Sequence, residues 1–471
     1  MTQTRQDLRK RLKAGPFEEI ADAFNRNADV ILRGIYEDVG GPIILDSFHQ
    51  DRIRGGNGKT TVARCTGTYR SGSQASVATP FELYVKVYRG INGGNKGCDG
   101  MDYMKRQERP WKYEAEFYDL FHGSRVVPGH YWFRDVRGLK DKLITLSGGN
   151  QTLQAKLFQL NKLSKGGNLA TQQLPLFLGV AATQALFDDF AEREVMPALI
   201  GHKSLSEHVQ LERVSLTMPK ALNYLRALMG CQSIEEIPSD IRARFSEKYQ
   251  PIAKRNDNNR RKLVHAALDG ENIVSNEQKG WQMPDIDTGC PGSIRFIDLE
   301  SIKLRDPFFA LSQTLTIPGL SLTPEEFEAV MQQYNATRLK LLGIEPEKTQ
   351  GFFGLGRRTE EPKMTEGRLK GMRSIFYAGA VHNPLKSGAK LADSASLFPD
   401  VYEARMQETP ELRGVADHNR GMISQSIEHI VSNPEQFVID DPSLGIDSFT
   451  PEDVKSLEGL LVLFKELGIA A

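Results

Sequence analysis

The chain has little of what marks a specialised class. Its 60 basic residues balance its 60 acidic ones, so no net field draws it toward DNA, RNA or a membrane surface. No apolar run of about 18 residues stands out, and no membrane span is expected. Only four cysteines occur (Cys65, Cys98, Cys231 and Cys290), and they are too scattered for a zinc ribbon or a redox CxxC pair. Reduced thiols in a cytoplasmic protein are the expectation. The nine histidines form no HxxxH or HExxH pair. The stretch from Met1 to Gly15 is basic but lacks the apolar core of a signal peptide. No internal repeat is visible.

What is present suits a chain of two or three domains or lobes, since 471 residues can enclose a sizeable core. Apolar residues from Phe17 to Ile35 recur at helical spacing and predict an amphipathic helix docked on the body. Residues 41–90 read as strands. Among them, Phe81–Tyr88 is a β-rich run and Arg54–Lys59 a glycine-rich turn. Lys112–Phe121 has helical character, and Tyr131–Leu146 reads as a strand pair turning at Lys140–Lys142. Residues 150–260 are mostly helical by periodicity, and Thr323-Pro324-Glu325-Glu326 opens another helix. Segments 345–365 and 383–400, rich in glycine, proline and charge, read as linkers. Strands gather on the N-terminal side and helices on the C-terminal side, which is the α+β pattern of a small antiparallel-sheet lobe and a larger helical lobe. The divisions expected are 1–40 (helical extension), 41–150 (sheet lobe), 151–385 (helical lobe) and 386–471 (C-terminal helical extension).

Several short motifs lie along this frame. Gly55, Gly56 and Gly58 sit in Gly55-Gly56-Asn57-Gly58-Lys59-Thr60, which lacks the spacing and the strand-to-helix context of a P-loop. The run suits either a plain hairpin turn or a flap whose backbone approaches phosphate oxygens. Lys86, flanked by Val85 and Val87, must reach solvent or a charge partner. Glu114 and Glu116 are candidate carboxylates for it. Glu114 is preferred, because Phe117, Tyr118 and Phe121 follow at three, four and seven residues and would anchor its helix. The most specific stretch is His265-Ala266-Ala267-Leu268-Asp269-Gly270-Glu271-Asn272, followed downstream by Ile297-Asp298-Leu299-Glu300. An Asn and an Asp in this relation can supply an amide oxygen and a carboxylate to Mg²⁺ carrying ATP phosphates. A helix-capping Asn and a strand-end Asp starting a turn is the plainer alternative.

In order, these pieces resemble the protein-kinase-like fold, and are most similar to the aminoglycoside phosphotransferase and choline kinase group. The group's loop reads HGDLxxxN and its metal strand IDFE or IDWE, followed by a DP pair that Asp306-Pro307 matches here. The resemblance covers residues 41 to about 385. It implies ATP and Mg²⁺ as cofactors and a small-molecule hydroxyl acceptor as partner, with neither nucleic acid nor membrane. Lys86 would contact the phosphates, Glu114 would hold Lys86, and Asn272 and Asp298 would bind the metal. The adenine would lie against an inter-lobe linker, either Leu143–Gly149 or Val195–Gly201. Two positions depart from the pattern. Ala267 stands where the family has the Asp that accepts the acceptor's proton, and Ala310 where it often has a supporting Asp. Asp269 stands where relatives have His or Lys, and could serve as a displaced base. The resemblance therefore implies a phosphotransferase with its base position altered, or alternatively a pseudokinase that binds ATP or a partner without turnover.

Overall fold

A computed structural model describes residues 31–33, 43–53, 60–71, 77–88, 110–133, 142–147, 151–163, 169–214, 216–258, 262–275, 280–290, 292–343, 366–397, 399–408, 413–439 and 447–471. The architecture is α+β. Five antiparallel strands come first: β1 (Ile43–Ile53), β2 (Thr60–Ser71), β3 (Thr79–Tyr88), β4 (Gly129–Phe133) and β5 (Lys142–Ser147). They lie in the order β1-β2-β3-β5-β4. Two-residue alternation makes β3 a one-sided strand. Phe81, Leu83 and Val85 are buried, while Glu82 and Tyr84 remain partly exposed. On that second face Glu82 accepts from Arg64 of β2 at 2.7 Å and from the Tyr84 hydroxyl at 2.9 Å.

Helix α1 (Pro110–Leu120) enters between β3 and β4. Its Phe117 and Tyr118, and Phe121 just after it, are fully buried, as the anchoring pattern requires. Of the N-terminal helix expected at 17–35, only 31–33 is among the described residues; it is helical, with Ile31 and Leu32 buried.

Two smaller sheets follow. One is β6-β8-β9, from Gln151–Thr152, Ile273–Ser275 and Ile294–Phe296. The other pairs β7 (Lys262–His265) with β10 (Ile302–Arg305). Since β5 belongs to the first sheet and β6 to the second, the chain leaves the sheet lobe just after Ser147. The competing linker Val195–Gly201 is instead helical. Helix α3 (Leu169–Phe190) runs on through a π-turn at Ala191–Val195, the short helix Met196–Ala198 and a 3₁₀ turn at Leu199–Gly201. Pro197 lacks an N–H, but it falls in the first turn after the π-turn, where a helix can spare that donor.

The remaining helices are α2 (Leu153–Leu163), α4 (Lys203–Val214), α5 (Thr217–Leu228), α6 (Ser239–Lys248), α7 (Gln250–Asn258), α8 (Pro307–Leu311), α9 (Pro324–Leu341), α10 (Glu366–Leu397), α11 (Pro399–Glu408), α12 (Val415–Ser432) and α13 (Pro451–Glu466). Helix α9 starts at a capping box, in which Thr323 N–H donates to Glu326 at 2.7 Å and Glu326 N–H to the Thr323 hydroxyl.

Two expectations need correction. The 383–400 linker is helix except at residue 398, which lies outside the described residues, and α10 crosses the boundary expected at 385. Pro384 is accommodated because tertiary contacts hold this stretch. Asn383 Nδ2 donates to the Ser312 hydroxyl at 2.9 Å and to the Phe309 carbonyl at 3.3 Å, and Leu385 is buried. The expectation of no membrane-length apolar run also fails. Leu169–Gly201 is long and apolar enough to cross a membrane, though 72% of its most apolar 18-residue window is buried inside the protein. A helix buried over most of its length suits the centre of a large core, even though it carries buried polar residues such as Gln184 and Asp188.

That core is one cluster running from Ala115 to Ala470. Helices α12 and α13 are part of it: Phe464 of α13 meets Phe245 of α6 with ring centroids 6.1 Å apart.

Candidate functional site

The loop 266–272 joins β7 to β8, and both flanks tie it to the segment 297–301. Ile297 N–H donates to the Asn272 carbonyl at 3.0 Å, and Ala266 N–H to the Ser301 carbonyl at 3.1 Å. His265 is fully buried, and its Nε2 lies 2.8 Å from the Ile297 carbonyl oxygen. A carbonyl only accepts, so Nε2 carries the hydrogen. Nδ1 is then free to accept the long 3.4 Å contact from Ala267 N–H. Burial holds the ring's pKa below its ordinary value, which keeps it neutral. The rings of Phe296 and Phe187 enclose it, at 5.6 and 6.0 Å between centroids.

Within the loop, Asn272 Nδ2 donates to the Ala267 carbonyl at 3.0 Å. That contact occupies the amide nitrogen. Among the described residues no donor meets the Asn272 Oδ1 atom. Asp269 shapes the turn. Its Oδ1 accepts the N–H groups of Glu271 and Asn272, each at 3.2 Å. Asp269 retains some accessible surface, yet burial raises its pKa to about 7, with help from the Glu271 and Asp298 carboxylates and against Lys390 and the Asn272 N–H. Gly270 was not singled out in the sequence. A Cβ there would lie 2.8 Å from Gln154 Cβ and 2.9 Å from Ile317 Cγ2. Its carbonyl accepts Gln154 N–H at 3.0 Å, so the loop rests directly on the start of α2. A glycine in the middle of the motif was the available signal.

Asp298 follows β9 in the left-handed region, φ 66° and ψ 51°. An Asp tolerates this better than most residues, at about 1 kcal/mol. The turn takes its N–H out of the strand ladder and toward α1, where it donates to the Tyr118 hydroxyl at 3.2 Å. The sequence marked Tyr118 as a packing anchor; its polar contact spans 180 residues and left no local trace.

The two metal candidates, Asn272 and Asp298, are thus brought to adjacent positions by the Asn272–Ile297 ladder bond. Glu114 is fully buried on α1, whereas Glu116 is only partly so. Helix α1 packs on β5 and on the 3₁₀ turn Leu299–Ser301, and β5 places Ile144 opposite Lys86 of β3. The Lys86 backbone is therefore beside the strand that α1 covers; its side chain lies outside the described residues. Gly55, Gly56 and Gly58 also lie outside them. Asp306 caps α8, accepting Phe308 N–H at 2.9 Å, and Ala310 is buried in that short helix.

The order of a five-stranded antiparallel sheet, an intervening helix and a helical body with a strand-bounded loop defines a two-lobed α+β protein. No family model matches the chain, and no curated protein matches it. Among solved structures it is similar to an ADP-bound aminoglycoside phosphotransferase, APH(2'')-Ib, at 13% identity over 69% of this chain and 86% of that one, with a TM-score of 0.37. It is also similar to the macrolide 2'-phosphotransferase MphH from Brachybacterium faecium, as apoenzyme, at 13% identity over 79% of this chain and 98% of that one, with a TM-score of 0.35.

Proposed function

We propose that the chain binds Mg–ATP and has the architecture of a phosphotransferase acting on a hydroxyl of a small molecule, with Ala267 at the proton-accepting position. One observation carries this reading. The loop and the 297–301 segment are hydrogen-bonded so that an uncommitted amide oxygen, Asn272 Oδ1, neighbours the carboxylate-bearing turn of Asp298. Two hard oxygen donors of this kind suit Mg²⁺ bound together with phosphate oxygens. When bound, the ion would offset charge on those oxygens.

In the transfer, the acceptor oxygen bonds to the γ-phosphorus while the bond from that phosphorus to the bridging oxygen breaks. ADP leaves with the electron pair, and the acceptor's proton must go to a base. The Ala267 methyl cannot take it. Asp269 is the nearest acid in the loop, but its Oδ1 is committed to two backbone N–H groups. The loop's own residues thus support nucleotide binding more fully than proton removal.

The test has two arms. Mg–ATP should raise the melting temperature of the unsubstituted chain, and the absence of any shift sinks the reading. Ala267→Asp should then raise ATP turnover with a hydroxyl acceptor or water by about 10²- to 10⁴-fold. A thermal shift without any gain from Ala267→Asp would instead favour a nucleotide-binding module that transfers nothing. Asp269→Ala abolishing turnover in the unsubstituted chain would identify Asp269 as the base.

A further inference from the structure

We infer that Tyr118 is a positioning residue for the metal-holding turn, coupling the seating of helix α1 to the affinity of Asp298 for Mg–nucleotide. The inference rests on the Mg–nucleotide reading given above. Tyr118 is not itself proposed as a ligand. It acts through a backbone N–H, that of Asp298, donated to its hydroxyl at 3.2 Å.

Three observations support the coupling. First, Glu114 and Tyr118 are four residues apart on α1 and both are fully buried. They lie on one face, one turn apart. Any shift of α1 that moves Glu114 therefore moves the Tyr118 hydroxyl. Second, Asp298 is held in the left-handed region, which a non-glycine residue occupies only when its surroundings fix it. Ile297 N–H is bound to Asn272 on one side, and Ser301 N–H returns to the Asp298 carbonyl at 3.2 Å on the other. The Tyr118 contact fixes the N–H between them. Third, the residue just after α1 is linked to the start of the loop through one intervening ring. Phe121 stacks on Phe187 with centroids 4.2 Å apart, and Phe187 meets His265 edge-on. Helix α1 thus hydrogen-bonds to the Asp298 turn, and the residue that follows it packs through Phe187 against His265 at the start of the loop. Groups that orient a ligand-bearing segment without touching the metal commonly alter its affinity about 10- to 100-fold.

The discriminating substitution is Tyr118→Phe, which removes the hydroxyl and keeps the ring. Mg²⁺ would be titrated into each protein at fixed ATP, with affinity read from calorimetry and from the melting temperature. Tyr118→Phe should weaken Mg–ATP binding about ten-fold. A purely structural role would lower the melting temperature of the ligand-free protein and leave the Mg–ATP shift unchanged. An affinity within two-fold of the unsubstituted chain overturns the inference. If the unsubstituted chain shows no Mg–ATP shift, the nucleotide reading falls and this inference falls with it. Equal shifts in both proteins overturn the coupling alone. Should Tyr118→Phe fail to fold, amide hydrogen exchange on the unsubstituted chain decides. The amides of 297–299 should be slow to exchange before Mg²⁺ or nucleotide is added, because Tyr118 already holds the turn. Exchange at the rate of an open loop overturns the inference.

Discussion

Nε2 of His265 donates to the carbonyl oxygen of Ile297 at 2.8 Å. This bond, made inside a cage of Phe187 and Phe296, joins the start of the loop to the residue before Asp298. Replacing His265 by Leu puts an apolar side chain of similar bulk in its place and leaves the Ile297 carbonyl unsatisfied. The expected loss is about 1–3 kcal/mol in urea denaturation. His265→Ala adds a cavity and should cost about 2–5 kcal/mol. Both substitutions should shrink the melting shift given by Mg–ATP, because they loosen the segment that presents Asp298. An unchanged shift would show that His265 serves stability alone.

Gly270 gives a sharper test of how the loop is seated. Its backbone φ is not positive, so the constraint is steric contact with Gln154 and Ile317 rather than conformational freedom. Two of those contacts would fall below 3.0 Å for any Cβ. Gly270→Ala should destabilise the protein by about 1–3 kcal/mol, the range for forcing atoms into a packed site. Gly270→Ala combined with Gln154→Gly would relieve one of the two contacts. The pair should therefore recover part of the loss, as read from chemical denaturation midpoints.

The loop was legible in the sequence because its pieces are local. His265, Leu268 and Asn272 lie within eight residues, and the contacts Asn272–Ala267 and Asn272–Asp269 are made inside that window. The strand lobe was legible for a similar reason, since alternation in β3 is a property of neighbouring residues. The helix at 383–397 was not. Pro384 and Gly388 read as breakers, and the helix persists through contacts with Ser312 and Phe309, which are distant in sequence. The sequence left Val195–Gly201 open as one of two linker candidates, and the stretch is helical from the π-turn onward. The Tyr118–Asp298 contact lay beyond any local pattern, since hydrophobic spacing explains the Tyr118 ring and says nothing of its hydroxyl.

Helices α5 and α10 are held together by an ion pair that is nearly buried. Arg226 Nη2 donates to both Asp393 oxygens at 3.0 Å, its Nε donates to Asn223 Oδ1 at 2.9 Å, and Nη1 to the Cys231 carbonyl at 3.0 Å. Side-chain exposure is 14% for Arg226 and 11% for Asp393, so solvent screens the pair little. Asp393→Ala strands the guanidinium and should cost about 3–5 kcal/mol. The double substitution Arg226→Met with Asp393→Leu should be more stable than Asp393→Ala, because neither charge is then left buried alone. A double-mutant cycle measured by denaturation would give a coupling of about 1–3 kcal/mol. A coupling near zero would mean that α10 is held by its apolar face, and that the pair is incidental.

Asp188, fully buried at the end of α3, should give the protein a pH-dependent stability that is separate from the loop. Its oxygens accept from the Tyr334 hydroxyl at 2.7 Å and from Gln184 Nε2 at 2.5 Å. Burial raises its pKa to about 7, although those bonds and the charges of Lys262 and Arg338 oppose the rise. In the unfolded chain the group should titrate near the usual carboxylate value of about 3.9. Between these values the folded state keeps a proton that the unfolded state has released. Stability from this group is therefore complete below about pH 4, falls as pH rises toward 7 and is flat above it. The total change is on the order of a few kcal/mol. Asp188→Asn cannot titrate and should lack this slope. Denaturation at pH 5, 6, 7 and 8 should show the substituted protein gaining on the unsubstituted one as pH rises, with most of the gain made by pH 7. A gap that stays constant across that range would mean that Asp188 is ionised in the fold at every pH, its charge held by Lys262 and Arg338.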